Sequence, residues 1–292
     1  MPEAVHVIGA TGRSGLALCR ALLADGVAVV PVVRNPGKWQ GFGLAVPPRA
    51  AALDDAPALG AALADATRIV SAAYAWHTTA ILAAAPAAAR LVLLGTTRKY
   101  ASEPDRFGRA AAAGEAALLA SGRCGVMLHP TMIYGAGDEQ NVRRLAALLA
   151  RFPVLPLPGG GRNLVQPIHQ DDVTRAIRAA LAVTWERPRA MVIAGPTALP
   201  YSEFAAAVAA ACGLQAPRVM PVPAWLLVAL AAAAGRLPRR IRGGLPAVGA
   251  AEIRRLLEDK AFDITPMVET LGITPIPLAE GLARTFGGAH KR

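Results

Sequence analysis

Lysine is scarce in this chain. There are 31 basic side chains against 20 acidic ones, a net charge of +11, yet only Lys38, Lys99, Lys260 and Lys291 are lysines. A balance made almost entirely of arginine, in an alanine-rich chain, often reflects coding bias. The charge alone therefore does not mark a nucleic-acid binder, and no aromatic-interleaved basic patch or zinc-ligand spacing supports that class. Charged residues make up only 17% and apolar ones 54%, which excludes a disordered chain. Cysteine is rarer still. Cys19, Cys124 and Cys212 stand apart in apolar surroundings, with no C-x-x-C pair and no metal-ligand cluster. Buried free thiols in a reducing compartment are expected.

Long apolar runs are missing as well. The longest candidate, Val222–Gly235, reads VPAWLLVALAAAAG. As a helix it spans about 21 Å, short of a hydrocarbon core of about 30 Å. A buried helix is the first expectation. The alternative is an interfacial helix whose following arginines at 236, 239, 240 and 242 meet a membrane or a protein complex, using 222–242 as a peripheral contact. A strand-like run begins at Ala4 with no charged, cleavable leader, so a cytoplasmic location is expected.

Short apolar runs and helical segments alternate from the start. AVHVIGA, VAVVPVVR, RIVSAA, RLVLLG and CGVMLHP read as strands. SGLALCRALLADG, ALGAALADA, HTTAILAAAPAAA and Arg109–Ser121 read as helices. Continuously apolar strands between helices indicate a parallel sheet covered on both faces, a doubly wound α/β fold of the Rossmann type. After Pro130 the texture changes to proline- and glycine-rich extended segments. Helices follow at Val142–Arg151 and after Gln170, with a strand at RAMVIAG and short, proline-broken helices from Tyr201 onward. Residues 1–130 are read as a nucleotide-binding body. Residues 131–292 are read as returning sheet elements with a mostly helical substrate or cap region.

GATGRSG, Gly9–Gly15, follows the first strand and opens the first helix. Gly9 suits the tight turn, Gly12 lets backbone approach a pyrophosphate, and Gly15 lets helix and strand pack closely. Thr11, Arg13 and Ser14 fill the loop, and the helix presents unpaired N–H groups to phosphate. An NAD site commonly has an acid after the second strand. Here the strand ends VVRNPGK, placing Arg34 there with Lys38 close by. Three cations, Arg13, Arg34 and Lys38, favour NADP(H) over NAD(H). Asp54 and Asp55 follow the third strand. They serve equally well as an adenine-edge contact or as a helix cap.

VIGATGRSG, VVRNPGK, LHPTMIYGAGDEQN, PLPGGGRNLVQPIHQDDV and EDKAFDITPMVETLGITPIPLAEGL, in that order, resemble the short-chain dehydrogenase/reductase superfamily. The likeness is to its extended or atypical branch, alongside nucleoside-diphosphate-sugar epimerases and dehydratases. It is especially close to a subgroup similar to the nucleotide-binding accessory subunit of respiratory complex I. The resemblance implies a tyrosine with a lysine four residues later on one helix face, and a hydroxyl residue nearby holding the substrate oxygen.

No Tyr-x-x-x-Lys exists in this chain: Thr78, Pro104, Asp138 and Ala205 stand four residues after its four tyrosines. Aligning Glu115 with the acid that commonly follows the lysine puts Phe107 and Ala111 in the places of the pair. Thr96 and Thr97 keep the hydroxyl positions. Tyr100 is a substitute acid/base or a pocket-lining residue. Its neighbour Lys99 is expected on the opposite face of an extended segment.

On the substrate side, Tyr134, His169 and Arg162 are the candidates, with Asn163 beside the last. His129 stands where relatives often have arginine, and either faces the site or is a hydrogen-bonded core histidine. Two functions follow. One is an NAD(P)-dependent oxidoreductase or epimerase-like enzyme with altered proton-transfer groups. The other is a non-catalytic NADP(H)-binding assembly, sensor or accessory protein. The resemblance leans to the first.

Overall fold

The computed structural model describes residues 4–135, 141–236 and 249–287. Its centre is a seven-stranded sheet. The strands are β1 (Val5–Ile8), β2 (Val29–Val33), β3 (Arg49–Ala50), β4 (Arg68–Ser71), β5 (Arg90–Leu94), β6 (Gly125–Pro130) and, after the four short strands named below, β11 (Arg189–Ile193). They lie in the order β3-β2-β1-β4-β5-β6-β11, with every pair parallel. Val5 pairs with Val29 on one side and Arg68 on the other, and Ile8 with Val32 and Ser71. All of β1 and all of β6 are buried. That is why these strands read as mainly apolar runs: helices cover both faces, and the two histidines among them, His6 and His129, are themselves buried.

The connecting helices are α1 (Arg13–Ala24), α2 (Pro36–Gln40), α3 (Ala56–Leu63), α4 (Thr78–Ala84) and α5 (Arg106–Ala120). Helix α5 starts before its alanine-rich stretch because Asp105 caps it, its side chain accepting from the N–H groups of Phe107 and Gly108. One face of the sheet packs Leu18, Cys19, Val70, Val92 and Leu128 together. The other packs Leu59, Leu63, Ile69, Leu91, Leu93 and Met127. Of the three thiols only Cys19 is buried, and burial pushes it up to about 12. Cys124 is exposed and Cys212 half-buried, contrary to the expectation from their apolar neighbours.

Beyond β6 come β7 (Ile133–Tyr134), α6 (Asn141–Arg151), β8 (Val154–Pro158), β9 (Leu164–Val165), β10 (Ile168–His169) and α7 (Gln170–Ala182). After β11 follow β12 (Leu199–Pro200), α8 (Tyr201–Ala211), β13 (Arg218–Val222), α9 (Ala224–Arg236), α10 (Ala250–Arg255), α11 (Thr265–Leu271) and α12 (Leu278–Gly287). Strand β13 pairs in parallel with β8, so the region after Tyr201 is not purely helical. A second core gathers Tyr134, Val142, Leu145, Leu157, Phe204, Val208 and Leu282.

Elements beyond residue 130 return to the main body. Val173, Ala176 and Ile177 of α7, Ile193 of β11, and Met267 and Leu271 of α11 all join the main body's core. Asp172 secures that return. Its fully buried carboxylate accepts from the Ile276 N–H at 2.8 Å and from Arg175 at 2.7 Å.

Helix α9 corrects another expectation. No residue from Ala224 to Ala233 is buried, and Trp225 is 72% exposed. The helix lies at the periphery, against β8 and α10, so its apolar composition does not mean a place in the core. Arg239, Arg240 and Arg242 lie outside the described residues. Among the described residues, no helix is long and apolar enough to cross a membrane.

Candidate functional site

From the neighbouring strands β1 and β4 the chain leaves in opposite directions along the sheet order, and a crevice opens beyond their carboxyl ends. A cavity of about 570 Å³ fills it. Gly9, Thr11, Gly12, Arg13 and Ser14 form one wall. Arg34 stands at the end of β2, Asp54, Ala72, Ala73, Tyr74 and His77 form further parts of the wall, and apolar side chains of the strand ends, Ile8 and Val32 among them, form the floor.

The glycines do what the spacing requires. Gly9 takes φ +75°, a conformation L side chains rarely adopt. A Cβ on Gly15 would fall 2.3 Å from the Gly9 carbonyl oxygen, so only glycine lets α1 sit this close to the strand. Among the described residues no side chain caps α1 at Gly12, an arrangement that suits an anion at the leading N–H groups. Ser14 lines the cavity, but its hydroxyl donates to Gln170 Oε1 at 2.9 Å and so also ties the loop to α7.

Arg13 and Arg34 are exposed and both face this cavity. Lys38 does not line it. It lies on α2, whose start is capped by Asn35 accepting from the Lys38 N–H. The two neighbouring aspartates divide the roles between them. Asp55 caps α3, accepting from the Ala58 N–H at 3.0 Å, while Asp54 turns into the cavity.

Thr96, Thr97, Lys99 and Tyr100 lie at the same edge of the sheet, just beyond β5, but they do not line that cavity. Both threonine hydroxyls are engaged. Thr96 Oγ1 accepts from the Arg98 N–H at 3.3 Å, and Thr97 Oγ1 donates to the Pro130 carbonyl at 3.3 Å. Residues Thr97–Tyr100 form a tight helical turn rather than an extended segment. The expected opposition of Lys99 and Tyr100 therefore fails: the ammonium lies 4.7 Å from the centre of the Tyr100 ring. Lys99 is neither solvated nor free for phosphate. It ion-pairs with Glu115.

The same Glu115 oxygen takes the Nε2–H of His129 at 2.5 Å, while His129 Nδ1 accepts from the Thr96 N–H at 3.1 Å. His129 is thus a satisfied core histidine. Burial, reinforced by the Lys99 charge, holds it well below the usual imidazole range against the pull of Glu115.

Phe107, Ala111 and Glu115 follow one another at four-residue spacing along one face of α5. Ala111 is fully buried. Phe107 meets Tyr74 and Trp76, with ring centroids 5.2 and 5.6 Å away, and Tyr74 and Trp76 stack at 4.4 Å. Tyr74, Trp76 and His77 were not singled out from the sequence. The available signal was YAWH, placed directly after a strand at the ligand-facing edge.

The substrate-side candidates fare differently. Tyr134 is only 1% exposed and sits in the second core, so it does not face the cavity. Its phenol lies against Gly281, where any Cβ would collide with it, and burial pushes its ionisation up. His169 is buried too. Its Nδ1 accepts from the Asp171 N–H at 3.2 Å and caps α7, while its buried Nε2 has no partner among the described residues. Arg162 is exposed on the turn after β8. Asn163 beside it completes a structural tie, donating to the Leu257 carbonyl and Asp259. The structure does not bring these four together around one pocket.

Residues 9–123 match the family model described as NAD(P)H-binding. That match covers the loop, the cavity walls and α5.

Solved structures of the same fold span nearly the whole chain. MoeE5 in complex with UDP-glucose and NAD is 18% identical, with a TM-score of 0.71 and 99% of each chain covered. The NADPH-dependent quinone oxidoreductase QOR2 from Escherichia coli, complexed with NADPH, is 20% identical, with a TM-score of 0.73, covering 97% of this chain and 99% of that one. The UDP-N-acetylglucosamine 4-epimerase from Bacillus cereus is 15% identical, with a TM-score of 0.73, covering 99% and 97%. At these identities the likeness establishes the Rossmann fold. No curated protein matches the chain.

Proposed function

We propose that this chain is an NADP(H)-dependent oxidoreductase. The observation that carries the reading is the pair Arg13 and Arg34 on the wall of the crevice cavity, with arginine rather than an acid at the end of β2. Guanidinium groups there suit a ribose phosphate, and an acid would suit a free ribose hydroxyl. Gly9, Gly12 and Gly15 with the start of α1 hold the pyrophosphate. Thr11 and Ser14 lie beside it, Asp54 meets the adenine end, and Lys38 adds long-range charge from α2. The bound nucleotide supplies a hydride. What the chain itself adds is position, exclusion of water and charge.

An epimerase reading fits less well. That chemistry must take a proton from a sugar hydroxyl and return it, and Phe107 and Ala111 can do neither. Tyr100 is the remaining phenol near Thr96 and Thr97, with the Lys99 ammonium against its ring.

Calorimetric titration with NADPH and NADH, followed by NADPH oxidation assays on a panel of carbonyl and conjugated acceptors, tests the reading. NADPH is expected to bind more tightly by about tenfold or more, the worth of one charge-assisted contact. Oxidation by at least one acceptor is also expected. Equal affinities would remove the NADP(H) preference. Tyr100→Phe with unchanged turnover would remove Tyr100 as a proton donor. A second reading rests on Phe107 and Ala111: a non-catalytic NADP(H)-binding protein that docks through exposed residues such as Trp225. Tight NADPH binding with no oxidation on any acceptor would select it.

A further inference from the structure

Aromatic residues make up only 5% of the chain, yet three of them meet at the rim of the nucleotide cavity. Tyr74, Trp76 and Phe107 have ring centroids 4.4 to 5.6 Å apart. The cluster is not core. Tyr74 is 60% exposed and Trp76 44% exposed, and Tyr74 is itself part of the cavity wall. The indole N–H of Trp76 donates to His77 Nε2 at 2.7 Å, which fixes the ring's orientation. Two guanidinium groups, Arg98 and Arg106, lie 5.1 and 4.7 Å from the centre of the Phe107 ring. Asp105 pairs with Arg98 at 3.1 Å, so Arg98 is held in place rather than swinging in solvent.

From this geometry we infer a stacking site for a planar, electron-poor conjugated ring bearing oxygens, a quinone in chemical class. Electron-rich ring faces favour an electron-poor partner in offset stacking. Of the two guanidinium groups, Arg106 favours negative charge on its oxygens, while the charge of Arg98 is offset by Asp105. The inference rests on the oxidoreductase reading in one respect, that this ligand is the hydride acceptor.

The missing proton-transfer pair then has a chemical reason. Reducing an aliphatic carbonyl makes a strongly basic alkoxide that needs a positioned acid. A quinone takes the hydride at one carbonyl oxygen, becoming the hydroquinone monoanion as NADPH becomes NADP⁺. The negative charge spreads over a conjugated ring beside Arg98 and Arg106. A proton from solvent then completes the hydroquinone at this exposed rim. Tyr74, Trp76 and Phe107 would place the ring, and none of them has to move a proton.

The test uses the full chain and menadione. Menadione binding is measured by calorimetry and by tryptophan lifetime quenching, with and without NADP⁺. Trp76→Ala is expected to weaken menadione binding about tenfold, the scale of a lost aromatic stack, and to leave NADPH affinity unchanged. Trp76→Phe keeps a ring, so affinity is expected to survive while the quenching signal falls. Trp225→Phe controls for collisional quenching at an exposed indole. In steady state, NADPH oxidation by menadione is expected to lose kcat/KM through a raised KM in Trp76→Ala, and diacetyl is expected to be a poor acceptor.

Menadione affinity indifferent to Trp76→Ala would overturn the site. So would displacement of menadione by UDP-glucose with the same Trp76 dependence, since that would make it a sugar-nucleotide platform. Trp76-dependent menadione binding sustains the site whether or not NADPH is oxidised. Failure of NADPH itself to bind would count against the oxidoreductase reading alone.

Discussion

Glu115 Oε2 lies 2.5 Å from His129 Nε2, joining the middle of α5 to the end of β6 through a carboxylate that also holds Lys99. The tautomer follows from the other ring nitrogen. Nδ1 accepts from the Thr96 N–H, so Nε2 carries the proton given to Glu115. One carboxylate thereby fixes the turn that bears Thr96, Thr97 and Tyr100. Gly95 makes room for this arrangement, since a Cβ there would fall 2.3 Å from His129 Nδ1.

This tie makes stability sensitive to mild acid. Burial first, and the Lys99 charge second, lower His129 from 6.5 to about 4. As pH falls through that window the unfolded chain takes up a proton that the folded chain refuses, so stability is lost on acidification and regained above about 6.5. His6 and His169 are also lowered by burial and act in the same direction. Urea midpoints measured across this range should slope upward with pH. His129→Gln should flatten the slope, and an unchanged slope would show that the acid sensitivity lies elsewhere.

The glycine loop gives a sharper steric prediction. In Gly15→Ala the new methyl meets the Gly9 carbonyl oxygen, which is backbone and has no rotamer into which to retreat. The loop must shift, at a cost on the order of 3 kcal/mol. On the proposed reading the displaced backbone cradles the phosphates, and NADPH affinity should fall by about tenfold or more. Gly26→Ala is the control for a helix-end glycine, with nothing within 4 Å of the added carbon but a φ of +71°. It should lose stability without losing nucleotide affinity. Wild-type NADPH affinity in Gly15→Ala, read by calorimetry, would contradict the assignment of the cradle.

Much of this site is legible in one dimension, and the reasons can be traced to particular residues. Gly9, Gly12 and Gly15 act within one loop, so their spacing carries their geometry. Arg34 is placed by the end of its own strand. Asp54 and Asp55 could not be separated, because only the path of the loop decides which of two neighbours turns inward.

The Lys99–Glu115–His129 cluster was invisible because it depends on β5 lying beside β6 with α5 across them. The aromatic platform depends on α5 packing against the turn at 75–77, where Gly114 comes within reach of the Ala75 carbonyl. Tyr134 shows the opposite failure. A motif position suggested a substrate contact, but the side chain fills the second core. Helix α9 was misjudged because apolar composition says what a surface would prefer, not whether anything covers it.

Asp172 tests how firmly the chain's second half is fastened to the first. Asp172→Ala strands the buried Ile276 N–H and removes the partner of Arg175. Breaking a buried hydrogen-bonded charge in this way should cost roughly 2–4 kcal/mol. Asp172→Asn keeps an acceptor for Ile276 and should cost about half as much. Urea unfolding at neutral pH separates the two. Equal and small effects would mean that packing of Met267 and Leu271, rather than this carboxylate, holds the segment.

On the proposed reading the two arginines of the cavity wall select the nucleotide, and they can be removed singly because neither is buried. Arg34→Ala should weaken NADPH by about tenfold and leave NADH nearly unchanged, since only the extra phosphate meets the guanidinium. Arg13→Ala should do the same on a smaller scale, because Arg13 also lies at the first turn of α1, where the helix N–H groups share the phosphate charge. Arg34→Asp should go further and reverse the preference, repelling the phosphate while offering a carboxylate to a free ribose hydroxyl. The double variant Arg13→Ala/Arg34→Ala separates a specific contact from general charge. If the losses add and NADH affinity holds, each arginine touches the phosphate region on its own. If NADPH and NADH weaken together, the arginines serve the shared pyrophosphate instead, and the preference for NADP(H) loses its physical basis.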